Sequence, residues 1–318
     1  MQAVTAREAT LVRGVEARSA WQQFWRRFRR DKIALLSGAF LILLTLAGFV
    51  GAPLAERITH HGPTEQFPYG LSADGIPLGP LQYDLPAGQA GRNLFILGTD
   101  RLGRDVLIRL LYGARVSLIV AFAATLVTLL IGVPIGLLAG YFRGPLDALI
   151  SRAIDTALAF PSLLFAVGMA AVIGPGLINV IIVIAVFSWY YPARIVRATV
   201  LSLRSSEFVE AAISIGANDW RIMLRELLPH LAAPVIVYST GIIASNILFE
   251  AGLSYLGLGV PLPAPSWGQM LSDGVANGLY RIQPWLAIIP GIALAITTLA
   301  FNQLGDGVRD AFAPKGGV

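Results

Sequence analysis

The chain has 318 residues, of which 55% are hydrophobic and 14% charged, with a mean hydropathy of +0.68 and a formal net charge of +5. Apolar content on that scale, gathered into runs of about twenty residues, excludes a water-soluble globular fold and marks a membrane protein, since such a run crosses a hydrocarbon core of ~30 Å. There is no cysteine, which excludes disulfides and thiolate metal sites, and the surplus of arginine reads as membrane topology, with no nucleic acid implied.

Arg7, Arg13, Arg18, Arg26, Arg27, Arg29, Arg30 and Lys32 precede the first apolar run. Among them Trp21, Phe24, Trp25 and Phe28 stand at i, i+3, i+4 and i+7. That is the pattern of an amphipathic elbow helix at the headgroups; a plain solvated tail would not gather four aromatics on one face. The apolar run is too long, and its basic prelude too extended, for a cleavable signal peptide. Membrane spans are predicted near 33–55, 116–140, 153–173, 177–196, 232–253 and 284–304, six in all. Tyr190, Tyr191, Pro192 and Arg194 crowd the end of the fourth, where the tyrosine pair suits an interfacial belt.

Between the first two spans, 98–115 is rich in turn formers and charges, as is 261–268 after the fifth. Both are predicted to be ordered external features that either receive a partner protein or stand as solvated loops. Gly132, Gly136 and Gly140, four apart, permit close helix packing. Arg152 with Asp155, and Asp306 with Arg309, are spaced to pair along their helices. Arg194, Arg197, Arg204, Arg221 and Arg225 place the loop before the fifth span on the cytoplasmic side with the N-terminus, and six spans return Arg309 and Lys315 there too. Arg92, Arg101, Arg104, Arg109 and Arg115 oppose this bias, but in a long external loop such charges count little.

The stretch 207–229 in that basic loop reads as a helical hairpin. Phe208, Ala211, Ala212 and Ile215 share one face, and after Gly216 the spacing returns in Trp220, Met223, Leu224 and Leu227. Gly216 can end the first helix, Asn218 or Asp219 can cap the second, and Pro229 is expected to stop it. Helices this short are marginal alone in water, so something must cover their stripes. Periodicity by itself also allows a helix lying in the membrane surface. In the fifth span Glu250 is the one deeply placed acid. It is either a pathway group or a hydrogen-bonding anchor for the turn at 252–259.

Glu210-Ala211-Ala212, then Gly216, then Leu228-Pro229 resembles the E-A-A…G…L-P loop of permease subunits of binding-protein-dependent ABC importers. One position departs, Glu226 standing where the family usually has Ile. Gly98-Thr99-Asp100, Leu102-Gly103-Arg104-Asp105, Gly113-Ala114-Arg115-Val116-Ser117, the run 252–259 with Pro265-Ser266-Trp267-Gly268, and Gly305-Asp306-Gly307-Val308-Arg309-Asp310 are similar to the second permease of the dipeptide, oligopeptide and nickel branch. The likeness runs from about 98 to 314; the N-terminal third is similar mainly in layout.

That resemblance implies an all-α, polytopic protein of six transmembrane helices with the type I ABC importer permease fold, in a bacterial or archaeal plasma (inner) membrane. It implies three parts: a basic cytoplasmic segment 1–32, a first span with external loop 33–97, and a permease core 98–318 carrying the coupling loop 207–229. It further implies a homologous second permease, two ATP-binding subunits and an extracytoplasmic solute-binding protein as partners. ATP and Mg would sit on the partners, with no cofactor on this chain. Glu210, Ala211, Ala212, Gly216, Asp219, Leu228 and Pro229 would couple to the ATPase, and Asp100, Arg101, Arg104, Asp105 and Trp267 would meet the binding protein. Peptides are the expected cargo.

No G-x-x-x-x-G-K-[ST], G-x-S-x-G or H-E-x-x-H pattern occurs, so neither an ATPase site nor a hydrolase site is expected here. His60 and His61 are adjacent and His230 is distant, which argues against a metal site. The competing class is a self-sufficient ion-coupled carrier or channel. That class calls for a relay of embedded ionisable residues and often internal repeats, whereas Glu250 stands alone and no repeat is visible.

Overall fold

The computed structural model describes residues 20–85 and 92–312; Arg7, Arg13, Arg18 and Lys315 lie outside them. Helix α1, Ala20–Phe28, is the elbow. It seats Phe24 against Val308, Ala311 and Phe312 of the last helix, with ring centroids 4.4 Å apart for the phenylalanine pair, and leaves Trp21 and Trp25 exposed. Asp31 then turns the chain: its Oδ1 accepts from the amides of Ile33 and Ala34 at 2.9 and 3.0 Å and caps α2, Lys32–Thr59, which carries a π turn at Ala47–Gly51.

Helix α3, Val106–Phe142, has 37 residues and so spans about 55 Å. Asp105 caps it through the amides of Leu107 and Ile108. Helices α4, Gly144–Ala159, and α5, Ser162–Ile173, follow, then α6, Leu177–Val186, and α7, Tyr190–Leu203. The hairpin helix α8, Glu207–Ser214, leads into α9, Asp219–Tyr255, and the chain closes with α10, Trp267–Val275, and α11, Trp285–Phe312.

Four helices, α2, α3, α9 and α11, are long and apolar enough to cross a membrane unbroken. The third and fourth predicted spans are not single rods. α4 and α5 meet at 90° and α6 and α7 at 40°. Pro161 explains the sharper break: it has no amide to donate and forces Phe160 out of the helical region, to φ −96°, ψ 142°. The 12 residues of α5 reach about 18 Å, short of the ~30 Å core, so α5 does not cross it alone.

The predicted glycine seam is present. A Cβ on Gly132 would stand 2.5 Å from the Trp189 carbonyl oxygen and one on Gly140 2.8 Å from that of Arg197, while one on Gly136 would drive into Ala193. α3 therefore lies backbone to backbone on α7. On its other flank α3 shares a core with α9, α10 and α11, built from Leu118, Ala121, Ile247, Trp267 and Phe301.

At the start of α3 a lobe folds over the bundle. It holds a two-stranded antiparallel sheet, β1 (Gln82–Tyr83) with β2 (Leu94–Phe95), and a cluster of His61, Phe67 and Phe95. α3 runs from this lobe to the hairpin, so the two lie at opposite ends of the molecule.

Candidate functional site

The hairpin is bolted to the bundle. Gly216 takes φ +77°, which only glycine adopts without strain, and ends α8. Asn218, not Asp219, caps α9, accepting from the Arg221 amide at 2.8 Å. Asp219 is thereby left to accept from the Tyr141 hydroxyl at 2.7 Å, joining the hairpin to the last turn of α3. Arg204 lies over the Tyr141 ring at 5.6 Å, and Phe208 stacks on His230 at 4.7 Å. Val209, Ala212, Met223 and Leu227 pack into one cluster with Leu137, Val196 and Val200.

Half of the predicted stripe is thus covered by this chain itself. Ala212, Met223 and Leu227 turn inward, while Ile215 is 78% exposed, Trp220 62% and Leu224 52%, with Ile213 beside them. Glu210, Ala211, Gly216, Asp219, Leu228 and Pro229 also reach the surface. Pro229 does not stop the second helix, which continues to Tyr255. A π turn at Ile222–Leu227 precedes it, and the wider register there relieves the clash and the missing amide that a proline brings to an α-helix. Tyr141 was not singled out from the sequence, and Arg204 and His230 were read only for topology and metal binding; Tyr141 lies 78 positions from Asp219 with no local signal to join them.

Above the hairpin, α7, α9 and α11 enclose a cavity of about 920 Å³ open along one side. Tyr191, Tyr238, Asn246, Asn302, Asp306 and Arg309 are among its walls. Asp306 and Arg309 do not form the predicted helix pair, nor do Arg152 and Asp155. The bridge in that region is Asp147 with Arg197, whose Nη2 donates to the carboxylate at 2.8 Å. Glu250 does not line this cavity. It is fully buried behind it, accepting from Ser117 at 2.9 Å and Ser254 at 2.6 Å, which ties α9 to α3 and steadies the turn after Tyr255.

In and beside the lobe at the start of α3, the residues expected to meet a partner are turned inward. Asp100, Arg104, Asp105 and Trp267 are all buried. Arg104 donates to Asp100 at 2.7 Å and to Asp273 at 3.1 Å, Arg109 pairs with Asp100 at 3.1 Å, and Trp267 Nε1 donates to the Leu110 carbonyl at 3.0 Å. Arg101, 40% exposed and bonded to Asp273 at 2.9 Å, is the one of the five with a surface to offer. The reason is pairing: Asp100 and Asp273 draw Arg104 and Arg109 into the interior, with Arg101 at the rim, although Nε and Nη2 of Arg109 find no hydrogen-bond acceptor. Asp105 also holds His61 Nδ1 at 2.6 Å. Burial lowers the His61 pKa, but the hydrogen bond and charge of Asp105, with lesser help from Asn93 and Glu65, outweigh it and leave it raised above 6.5. Among the described residues no group of three His, Asp or Glu side chains could hold a metal.

A helical bundle with an elbow at one end and a helical hairpin between its spans is the type I ABC importer permease architecture. A chain from the inward-facing MetNI methionine ABC transporter superposes with a TM-score of 0.53 over 65% of this chain and 97% of its own, at 20% identity, and a second crystal form gives 0.55 over 64% and 96%. Residues 132–316 match the family described as binding-protein-dependent transport system inner membrane component, and 19–74 match the N-terminal transmembrane domain of oligopeptide transport permease C. The glutathione transport system permease protein GsiD of Pectobacterium atrosepticum is 38% identical over 305 residues, 96% of this chain and 94% of that protein. GsiD of Escherichia coli O6:K15:H31 is 41% identical over 306 residues, with the same shares of each chain. The chain belongs to the binding-protein-dependent transport system inner membrane components, in the dipeptide and oligopeptide branch. It is a multi-pass inner-membrane permease subunit of an ABC importer.

Proposed function

We propose that this permease forms half of a translocation pathway together with a homologous second permease, and that it takes its free energy from two separate ATP-binding subunits. The hairpin 207–229 docks on an ATPase, with the N-terminal segment 1–32 and the C-terminus on the same cytoplasmic side, while the first-span unit 33–97 adds the external lobe to the core 98–318. An extracytoplasmic solute-binding protein delivers cargo at the lobe, Arg101 being its contact on this chain. ATP and Mg stay on the partner subunits, and this chain neither hydrolyses nucleotide nor holds a cofactor. Peptide-type solutes, glutathione among them, are the cargo that the relatives' names favour.

One observation carries this reading: an exposed apolar patch, Ile215, Trp220 and Leu224, on a hairpin bonded to three spans at once. Exposed aromatic and aliphatic side chains of this kind mark a protein interface. The Tyr141–Asp219 bond and the buried cluster leave the hairpin no independent motion, so displacement of its docking groove is transmitted to α3, α7 and α9. A two-state pathway shifts only by the difference in ATPase contact between its states, so the hairpin must be held differently in each. An ion-coupled carrier is not favoured, because Glu250 has serines and no charged group as its hydrogen-bond partners.

Cysteines at Ile215 and Trp220, in a chain that has none, should cross-link to the ATPase subunit in membranes. Gly216→Pro cannot hold φ +77°, and Ala212→Leu overfills the cluster. Both should assemble yet hydrolyse ATP without uptake in proteoliposomes. Normal uptake by both variants, or cross-links to lipid alone, would overturn the coupling role.

A further inference from the structure

We propose that Asp306 and Arg309, on one stripe with Asn302, hold the amine and the carboxylate of a zwitterionic solute at the elbow end of the pathway. The assignment rests on the transport reading above and adds the residues that meet the cargo. Asn302, Asp306 and Arg309 stand at i, i+4 and i+7 of α11, share one helical face, and all line the cavity of about 920 Å³. Among the described residues neither charged side chain has an ion-pair or hydrogen-bond partner, and both are exposed where they line the cavity. The buried Asp100, Arg104 and Asp273 and the partly buried Asp147 and Arg197, by contrast, all have partners.

Both charges are exposed at the elbow end of a cavity whose lining is otherwise mainly apolar, so they are the groups best placed in it to orient a polar solute. A ligand of single charge satisfies one of them and, on displacing water, strands the other, which is costly in a narrowing cavity. A solute that carries both an ammonium and a carboxylate satisfies both at once, and the cavity volume falls within the ~300–1,000 Å³ usual for small-molecule sites. Tyr191 and Tyr238 across the lumen add aromatic faces and hydroxyls for the body of such a solute.

The test uses the absence of cysteine. Asn302→Cys is placed in the assembled importer in proteoliposomes and labelled with a water-soluble maleimide. Labelling is repeated with millimolar glycyl-leucine, its N-acetyl form and its C-terminal amide. The free dipeptide should slow labelling several-fold and the two blocked forms should not. In the Asp306→Asn background the N-acetyl form should protect as well as the free dipeptide, and in Arg309→Gln the amide should do so, a reciprocity that a purely structural role does not produce. Equal protection by all three forms, or protection by none, overturns the proposal. Hairpin cross-links to the ATPase are read in the same preparation. If they persist while protection fails, only the charge-pair assignment falls; if they are absent, the transport reading falls with it.

Discussion

The two ends of this permease handle side-chain polarity in opposite ways. The lobe at the start of α3 turns charge inward, with Arg104, Arg109 and Asp105 each 2% exposed or less, whereas the hairpin turns apolar surface outward at Ile215, Trp220 and Leu224. A segment that closes on its own bundle pairs its charges internally; the hairpin, proposed above as a seat for another protein, leaves apolar groups uncovered. Charge in a membrane protein's loops is therefore no guide to where partners bind unless its burial is known.

Removing a charge from the lobe should break this contrast most severely. Arg104→Met leaves Asp100 with Arg109 alone and Asp273 with the part-exposed Arg101 alone, and is expected to cost about 3 kcal/mol, seen as a large drop in the unfolding midpoint of detergent-purified protein. If the midpoint holds, the lobe admits enough water to solvate its aspartates and the contrast with the hairpin dissolves. A smaller effect is expected at the other end, where Tyr141→Phe removes the bond to Asp219 and should cost about 1 kcal/mol. Its sharper signature is partial uncoupling of ATP hydrolysis from uptake, because the hairpin loses a tie to α3.

The smallest effect concerns pH. His61 has a folded pKa raised above 6.5, so its protonated form is favoured by folding. The stability it contributes is fully present below the unfolded value and is lost as pH rises through the raised folded one. Unfolding midpoints measured from about pH 5.5 to 8.5 should fall for the wild type across that window and lie flatter for His61→Asn. An identical slope in both would show that the Asp105 pair makes no linked contribution.

Much of the fold was legible without coordinates because it follows local rules. Hydropathic length marked the spans, the aromatic spacing marked the elbow, the glycine triplet marked the α3–α7 seam, and Gly216 marked the end of α8. The break at Pro161 was equally local and was read through as one continuous span, since apolar length says nothing of a rod's straightness. Pro229 misled in the other direction: a stop signal in an α-helix is harmless after a π turn, and periodicity does not reveal one.

The functional site divides along the same line. By itself the sequence determined that the chain crosses the membrane repeatedly, which segment forms the hairpin, and the family to which the motif residues point. All of these rest on spacing over a few turns or on apolar length. Only tertiary structure decided that Asp100, Arg104 and Trp267 face inward, that Tyr141 grips Asp219, that Glu250 sits behind the cavity, and that Asp306 and Arg309 open into it unpaired. Each of these depends on which distant helix packs against which face, a choice set by the burial energy of the whole bundle and not by any residue's neighbours in the chain.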